Sequence, residues 1–147
     1  MRSLSILLVC LALGTGFGSC NKVTDVLTSY LRVSVDGTNW SSAVSTGTAL
    51  AGRLTIAGSS LNGGTVVNIL VPADIQPGDY SLSAVGSYSA QYKPDGVNIY
   101  SAVSGNLTIE EHDQARKEIK GTFSFSALNV GGNTISLTDG SFSVSYL

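Results

Sequence analysis

Histidine occurs once in this 147-residue chain, cysteine twice and proline three times, and charged side chains make up only 12% of it. Each scarcity closes off a kind of chemistry. With His112 as the only imidazole and Cys10 and Cys20 as the only thiols, a zinc site of His and Cys ligands is excluded on residue count. Ser-His-Asp or Cys-His catalysis would hang on one imidazole beside a turn, with no oriented nucleophile in sight. Glu110 and Glu111 are the only adjacent carboxylates, and strand neighbours point to opposite faces, so they do not straddle a glycosidic bond together. Asp95, Asp113 and Asp139 lack the alternating spacing of a calcium loop; Asp95 and Asp139, each followed by Gly, read as turn formers. No run of Lys or Arg exists, which disfavours nucleic acid as a partner. Nothing calls for a cofactor.

What is present begins with an export signal. Arg2 supplies a positive start, residues 4–13 an apolar run, and residues 14–19 a stretch of small residues before Cys20. The apolar run is about half the ~20 residues that a membrane-crossing helix needs. A Cys directly after Gly18 and Ser19 resembles a lipobox, whose thiol receives the lipid before cleavage. Phe17 stands where Leu is usual, which leaves ordinary secretory cleavage near Gly18 or Ser19 as the alternative. Lipidation also explains why the mature chain would carry a single Cys and no disulfide. The expected organisation is a lipoprotein signal over 1–19, a lipidated Cys20 with its tether over 20–29, and one domain over 30–147. Without Arg2, seven Lys or Arg face ten Asp or Glu, a net charge of about −3. The solvent face must therefore be built mainly from hydroxyls and amides.

From Tyr30 onward the apolar period is two. Leu31, Val33 and Val35 alternate with Arg32 and Ser34, Asp36-Gly37 makes a turn, and a return through Trp40 follows. Strands are expected again over 50–57, 65–71, 80–84, 87–93, 97–103, 106–112, 118–128 and 134–146, each bounded by Gly, Asn, Asp or Pro. This predicts an all-β fold, an antiparallel β-sandwich or partly open barrel of about nine or ten strands. In the hairpin around residues 113–117, pairing His112 with Glu118 sets Glu110 against Lys120 on the wet face, and Leu107 against Phe123 and Ile109 against Gly121 on the dry one. His112 is then an exposed strand-end residue, and Glu111 lies at the rim of the core. A recurring motif, Gly105-Asn-Leu-Thr-Ile, Gly121-Thr-Phe-Ser-Phe and Gly140-Ser-Phe-Ser-Val, reads as the start of an inward-outward strand rather than a repeat, because its spacing is unequal.

Val35-Asp-Gly-Thr-Asn-Trp40, Pro77-Gly-Asp-Tyr80 and the three Gly-led segments, in this order and spacing, resemble the DUF6252-like small lipoproteins of the Bacteroidetes lineage. The resemblance spans nearly the whole mature chain and implies an exported, lipid-anchored β domain; it implies no activity.

The material for ligand binding is aromatic. Trp40, Tyr88, Tyr92 and Tyr100, set among Asn, Gln and Ser, offer rings for sugars to stack on, unless they serve as core and rim residues. Tyr88 and Tyr92 share one strand face, and Tyr100, of opposite parity to Val97 and Ile99, is the ring expected to be most exposed. The expectation is a non-enzymatic, lipid-anchored protein of the bacterial cell envelope, on the outer membrane because Asn21 follows the Cys. It would be held to the membrane by lipid on Cys20 and would bind a glycan or another envelope protein. The alternative is an adhesin or fibre subunit that pairs through an edge strand, with the long, nearly uncharged segment 136–146 as the strand to examine. A hydrolase is disfavoured.

Overall fold

Alternation of apolar and hydroxyl residues organises residues 29–147, the part of the chain described by the computed structural model, into ten strands. The export signal, Cys20 and residues 21–28 of the tether lie outside the described residues. The strands are β1 (Tyr30–Val35), β2 (Thr38–Ser41), β3 (Val44–Leu50), β4 (Arg53–Ser59), β5 (Val66–Pro72), β6 (Gly78–Leu82), β7 (Ser89–Lys93), β8 (Tyr100–Asp113), β9 (Glu118–Leu128) and β10 (Thr134–Ser145). They form one antiparallel sheet in the order β2-β1-β10-β9-β8-β7-β5-β4-β3. The sheet curls until its far strand meets its own last residues. Gly47 of β3 bridges Tyr146, and the Ala49 N–H donates to the Leu147 carbonyl at 3.2 Å. The fold is thus all-β, a curled and partly open barrel.

β8 is the pivot. Its first residues pair with β7 and its later ones with β6, both on the same edge, while β9 takes the other edge. β6 and β7 therefore run end to end, interrupted by an excursion at residues 83–88. The Ser83 N–H closes that excursion on the Tyr88 carbonyl at 3.1 Å, and the Arg53 guanidinium holds it by donating to the carbonyls of Gly86 and Ser87.

The inward residues make one core. Phe142, Leu31, Leu54, Ile56, Ile69, Leu107, Ile109 and Leu137 are all essentially inaccessible, and each such aliphatic or aromatic side chain contributes roughly 1.5–3 kcal/mol of transfer free energy. The Gly-led motifs acquire a physical meaning here. Gly105 lies opposite Phe125, Gly121 opposite Phe142 and Gly140 opposite Phe123, so each glycine leaves the space a neighbouring aromatic occupies. A methyl at Gly140 would sit 2.6 Å from the Phe123 ring.

Several expectations are corrected. Residues 50–57 are not one strand, because Ala51 and Gly52 both take positive φ, 51° and 75°, and make a two-residue hairpin turn between β3 and β4. Residues 97–103 and 106–112 are not two strands; β8 runs unbroken from Tyr100, and Val97 and Ile99 belong to the loop before it. Asp139 makes no turn: at φ 53° it sits in a bulge inside β10. A second bulge, at Glu110 on β8, preserves the expected pairs of Leu107 with Phe123 and Ile109 with Gly121 but shifts the rest. His112 faces Ile119, and Asp113 takes Glu118. The extra residue reverses parity, so Glu111 is exposed instead of lying at the core rim, and His112 turns inward. Segment 136–146 offers no edge, since β10 is paired on one side with β1 and on the other with β9.

Candidate functional site

The same alternation that fills the core writes the outer face. On β9, Ile119, Phe123, Phe125 and Ala127 are buried, so Thr122, Ser124 and Ser126 point out. The register then aligns them with polar residues on neighbouring strands. Asp79, Thr108, Thr122, Ser141 and Arg32 form one row across β6, β8, β9, β10 and β1. Ser81, Asn106 and Ser124 form a second, and Ser104, Ser126 and Ser136 a third. Two shallow depressions lie on this face, one of 560 Å³ and one of 630 Å³, and they share Asn106, Ser124 and Thr138. Together they make one shallow groove along β9 and its neighbours β8 and β10. Its exposed groups are mainly hydroxyls and the Asn106 amide, with the exposed Val103 at one end and Asp139 at the bulge as the charged lining residue.

Sequence reasoning did not single out Asn106, Ser124 or Thr138. The signal was nonetheless in the Gly-led motifs: their first, third and fifth residues turn inward, and the residues between, Asn106 and Thr108, Thr122 and Ser124, are the ones that line the groove. Only the strand order shows that they lie side by side.

The aromatic candidates are placed elsewhere. Tyr92 is buried at 7% exposure, and Trp40, Tyr88 and Tyr100 are half-buried against the core. Tyr92 and Tyr100 face each other across β7 and β8 with ring centroids 6.3 Å apart, and Tyr88 stacks at 4.6 Å on Tyr80. Trp40 stands opposite Val33. Tyr100 is not the exposed ring that its parity suggested, because the strand starts at Tyr100 itself and points it inward, leaving Val97 and Ile99 outside. Burial, then the charge of Asp36, holds the Tyr92 hydroxyl above the usual tyrosine range. Cys20 lies outside the described residues.

A third depression, of 660 Å³, surrounds the β8–β9 turn and includes His112. Four of its ionic groups are paired, Lys120 with Glu110 at 3.6 Å and Arg116 with Glu118 at 3.4 Å, while Glu111 and Asp113 form no ion pair among the described residues. His112 does not pair with Glu118. Its Nδ1 lies 2.7 Å from the Ile75 carbonyl and its Nε2 2.8 Å from the Tyr146 hydroxyl. A carbonyl only accepts, so the Nδ1–H donates to Ile75, and Nε2 shares a hydrogen bond with the Tyr146 hydroxyl. Burial, then the charge of Asp113, raises the Tyr146 pKa and keeps that hydroxyl protonated. The imidazole therefore ties β8 to the β5–β6 connection and to the closing C-terminus, with neither nitrogen free for a substrate. Among the described residues no three His, Cys, Asp or Glu side chains converge as metal ligands.

A family model described as a domain of unknown function, DUF6252, matches residues 28–144. No curated protein and no solved structure matches significantly.

Proposed function

Since the chain belongs to the DUF6252 family, whose description assigns no activity, we propose on physical grounds that it is a lipid-anchored protein of the bacterial cell envelope, and a non-enzymatic module that binds neutral glycan on the outer face of β6, β8, β9 and β10. The observation that carries this reading is the groove over Asn106, Ser124 and Thr138. Hydroxyls and amides both donate and accept, as sugar hydroxyls do, and rows of them in register suit a repeating polyol better than an anion or an apolar ligand. The Gly18-Ser19-Cys20 lipobox supports the anchor, and Asn21 the outer membrane.

The placement of the acids nearest the groove supports binding without cleavage. Asp79 on β6 and Asp139 on β10 are separated by β8 and β9, a span of about 14 Å at ~4.8 Å per strand. Glycosidases need their two carboxyls within about 9.5 Å.

The test is a glycan array probed with the full chain in detergent, alongside the double variant Asn106→Ala, Ser124→Val and, as control, Tyr100→Ala. Saturable binding that the double variant loses with unchanged thermal unfolding, and that Tyr100→Ala keeps, is the expected result. Silence across the array, or binding indifferent to Asn106 and Ser124, refutes the reading. Palmitate labelling that survives Cys20→Ser would refute the anchor.

A further inference from the structure

The groove has a length and a charge gradient, and together they define a ligand class more narrowly. Resting on the glycan reading, we propose that the groove takes about three neutral sugar rings laid along β9 and discriminates against uronic acids. From Thr122 to Ser126 the floor runs four residues, about 14 Å at ~3.4 Å per residue, which is room for about three pyranose rings end to end. The flanking strands keep step with β9: Thr108 and Ser141 stand beside Thr122, and Ser104 and Ser136 beside Ser126.

The two ends differ. The Ser104, Ser126, Ser136 end carries no charge. At the Thr122 end, Asp139 lines the depression, and Asp79 accepts the Thr108 hydroxyl proton at 2.7 Å. Neither acid is in an ion pair among the described residues. Lys120 is with Glu110 at 3.6 Å, and the Arg32 guanidinium lies 4.8 Å above the Tyr30 ring. Those carboxylates accept hydrogen bonds from vicinal sugar hydroxyls, and they repel a sugar that carries its own carboxylate. Thr108 with its proton committed to Asp79 presents only acceptor lone pairs to the groove, which again favours a hydroxyl over an anion.

The experiment titrates the full chain in detergent with β-1,4-gluco-, β-1,3-gluco- and β-1,4-manno-oligosaccharides of one to six units, by calorimetry. It then compares the binding trisaccharide with the same trisaccharide oxidised at C6 to the uronate. Affinity is expected to rise to the trisaccharide and level off, and the uronate to bind about fivefold or more weakly at low salt, a gap that narrows with added salt. In Asp139→Asn the gap should shrink. Asn adopts the left-handed φ of 53° at that position as readily as Asp, so this variant keeps the bulge. A plateau already at the monosaccharide, a uronate that binds as well as its neutral parent, or a gap that Asp139→Asn leaves intact overturns this inference while the glycan reading stands. No binding by any of the sugars overturns both.

Discussion

Replacing Gly121 by Ala would place a methyl carbon 2.2 Å from the Thr108 carbonyl oxygen and 2.9 Å from Cζ of Phe142. The second contact could ease if the ring shifted; the first is with the backbone of β8, which is fixed by pairing on both edges. The sheet must therefore open locally between β8 and β9. Overpacking of this kind costs typically 1–3 kcal/mol, and a backbone obstacle puts Gly121→Ala at the upper end, about 3 kcal/mol. The proper comparison is Gly132→Ala. Gly132 has φ 81° and nothing within 4 Å, so the change costs only the left-handed conformation, about 1 kcal/mol. Urea unfolding followed by the fluorescence of Trp40, which packs on the core, measures both. For a domain of this size the gap between the variants corresponds to about 5–10 °C in Tm. Adding Phe142→Leu to Gly121→Ala removes the ring but not the carbonyl, and should recover nothing. If Gly121→Ala were no worse than Gly132→Ala, or if Phe142→Leu rescued it, the account of the Gly-led motif as backbone clearance would fail.

His112→Ala removes two hydrogen bonds from one ring and leaves the Ile75 carbonyl and the Tyr146 hydroxyl without protein partners. The expected loss is about 2 kcal/mol, with faster hydrogen exchange at Ala49, whose N–H closes the barrel on Leu147; unchanged exchange there would show that the imidazole does not secure the C-terminus. At high pH, Tyr92 and Tyr146 should ionise above the usual tyrosine range, because burial raises both. Their folded pKa lies above the unfolded value, so the stability they confer is complete below about pH 10 and lost as the pH climbs through the folded values. Absorbance at alkaline pH, read against unfolding midpoints, checks both the raised ionisation and the loss.

The alternation of apolar and hydroxyl residues made most of the strands legible, and β9 begins and ends at the residues the pattern indicated. Several of the failures share one cause. A bulge adds a residue without changing composition, so every parity argument that crosses one inverts; this misplaced His112 and Glu111 and made Asp139 look like a turn. Ala51 failed differently, since a left-handed alanine has no sequence signature. For the candidate site, composition correctly foretold a face of hydroxyls and amides, but which of them stand together depends on strand order. Asn106, Ser124 and Thr138 come from three strands, and nothing local to any one of them marks it as a neighbour of the others. The aromatic residues attracted attention because stacking is a familiar chemistry, whereas in the fold their rings pack inward.

The pairing of β1 with β10 joins the beginning of the domain to its end: the Ser145 N–H donates to the Ser29 hydroxyl, 116 residues away. Contacts of that span close large loops and fold slowly. While the chain is being made, Leu31 has no strand to pair with on the β10 side until β10 itself emerges, so the barrel stays open until then. A protein built this way remains threadable until its final strand arrives, and that strand acts as the clasp.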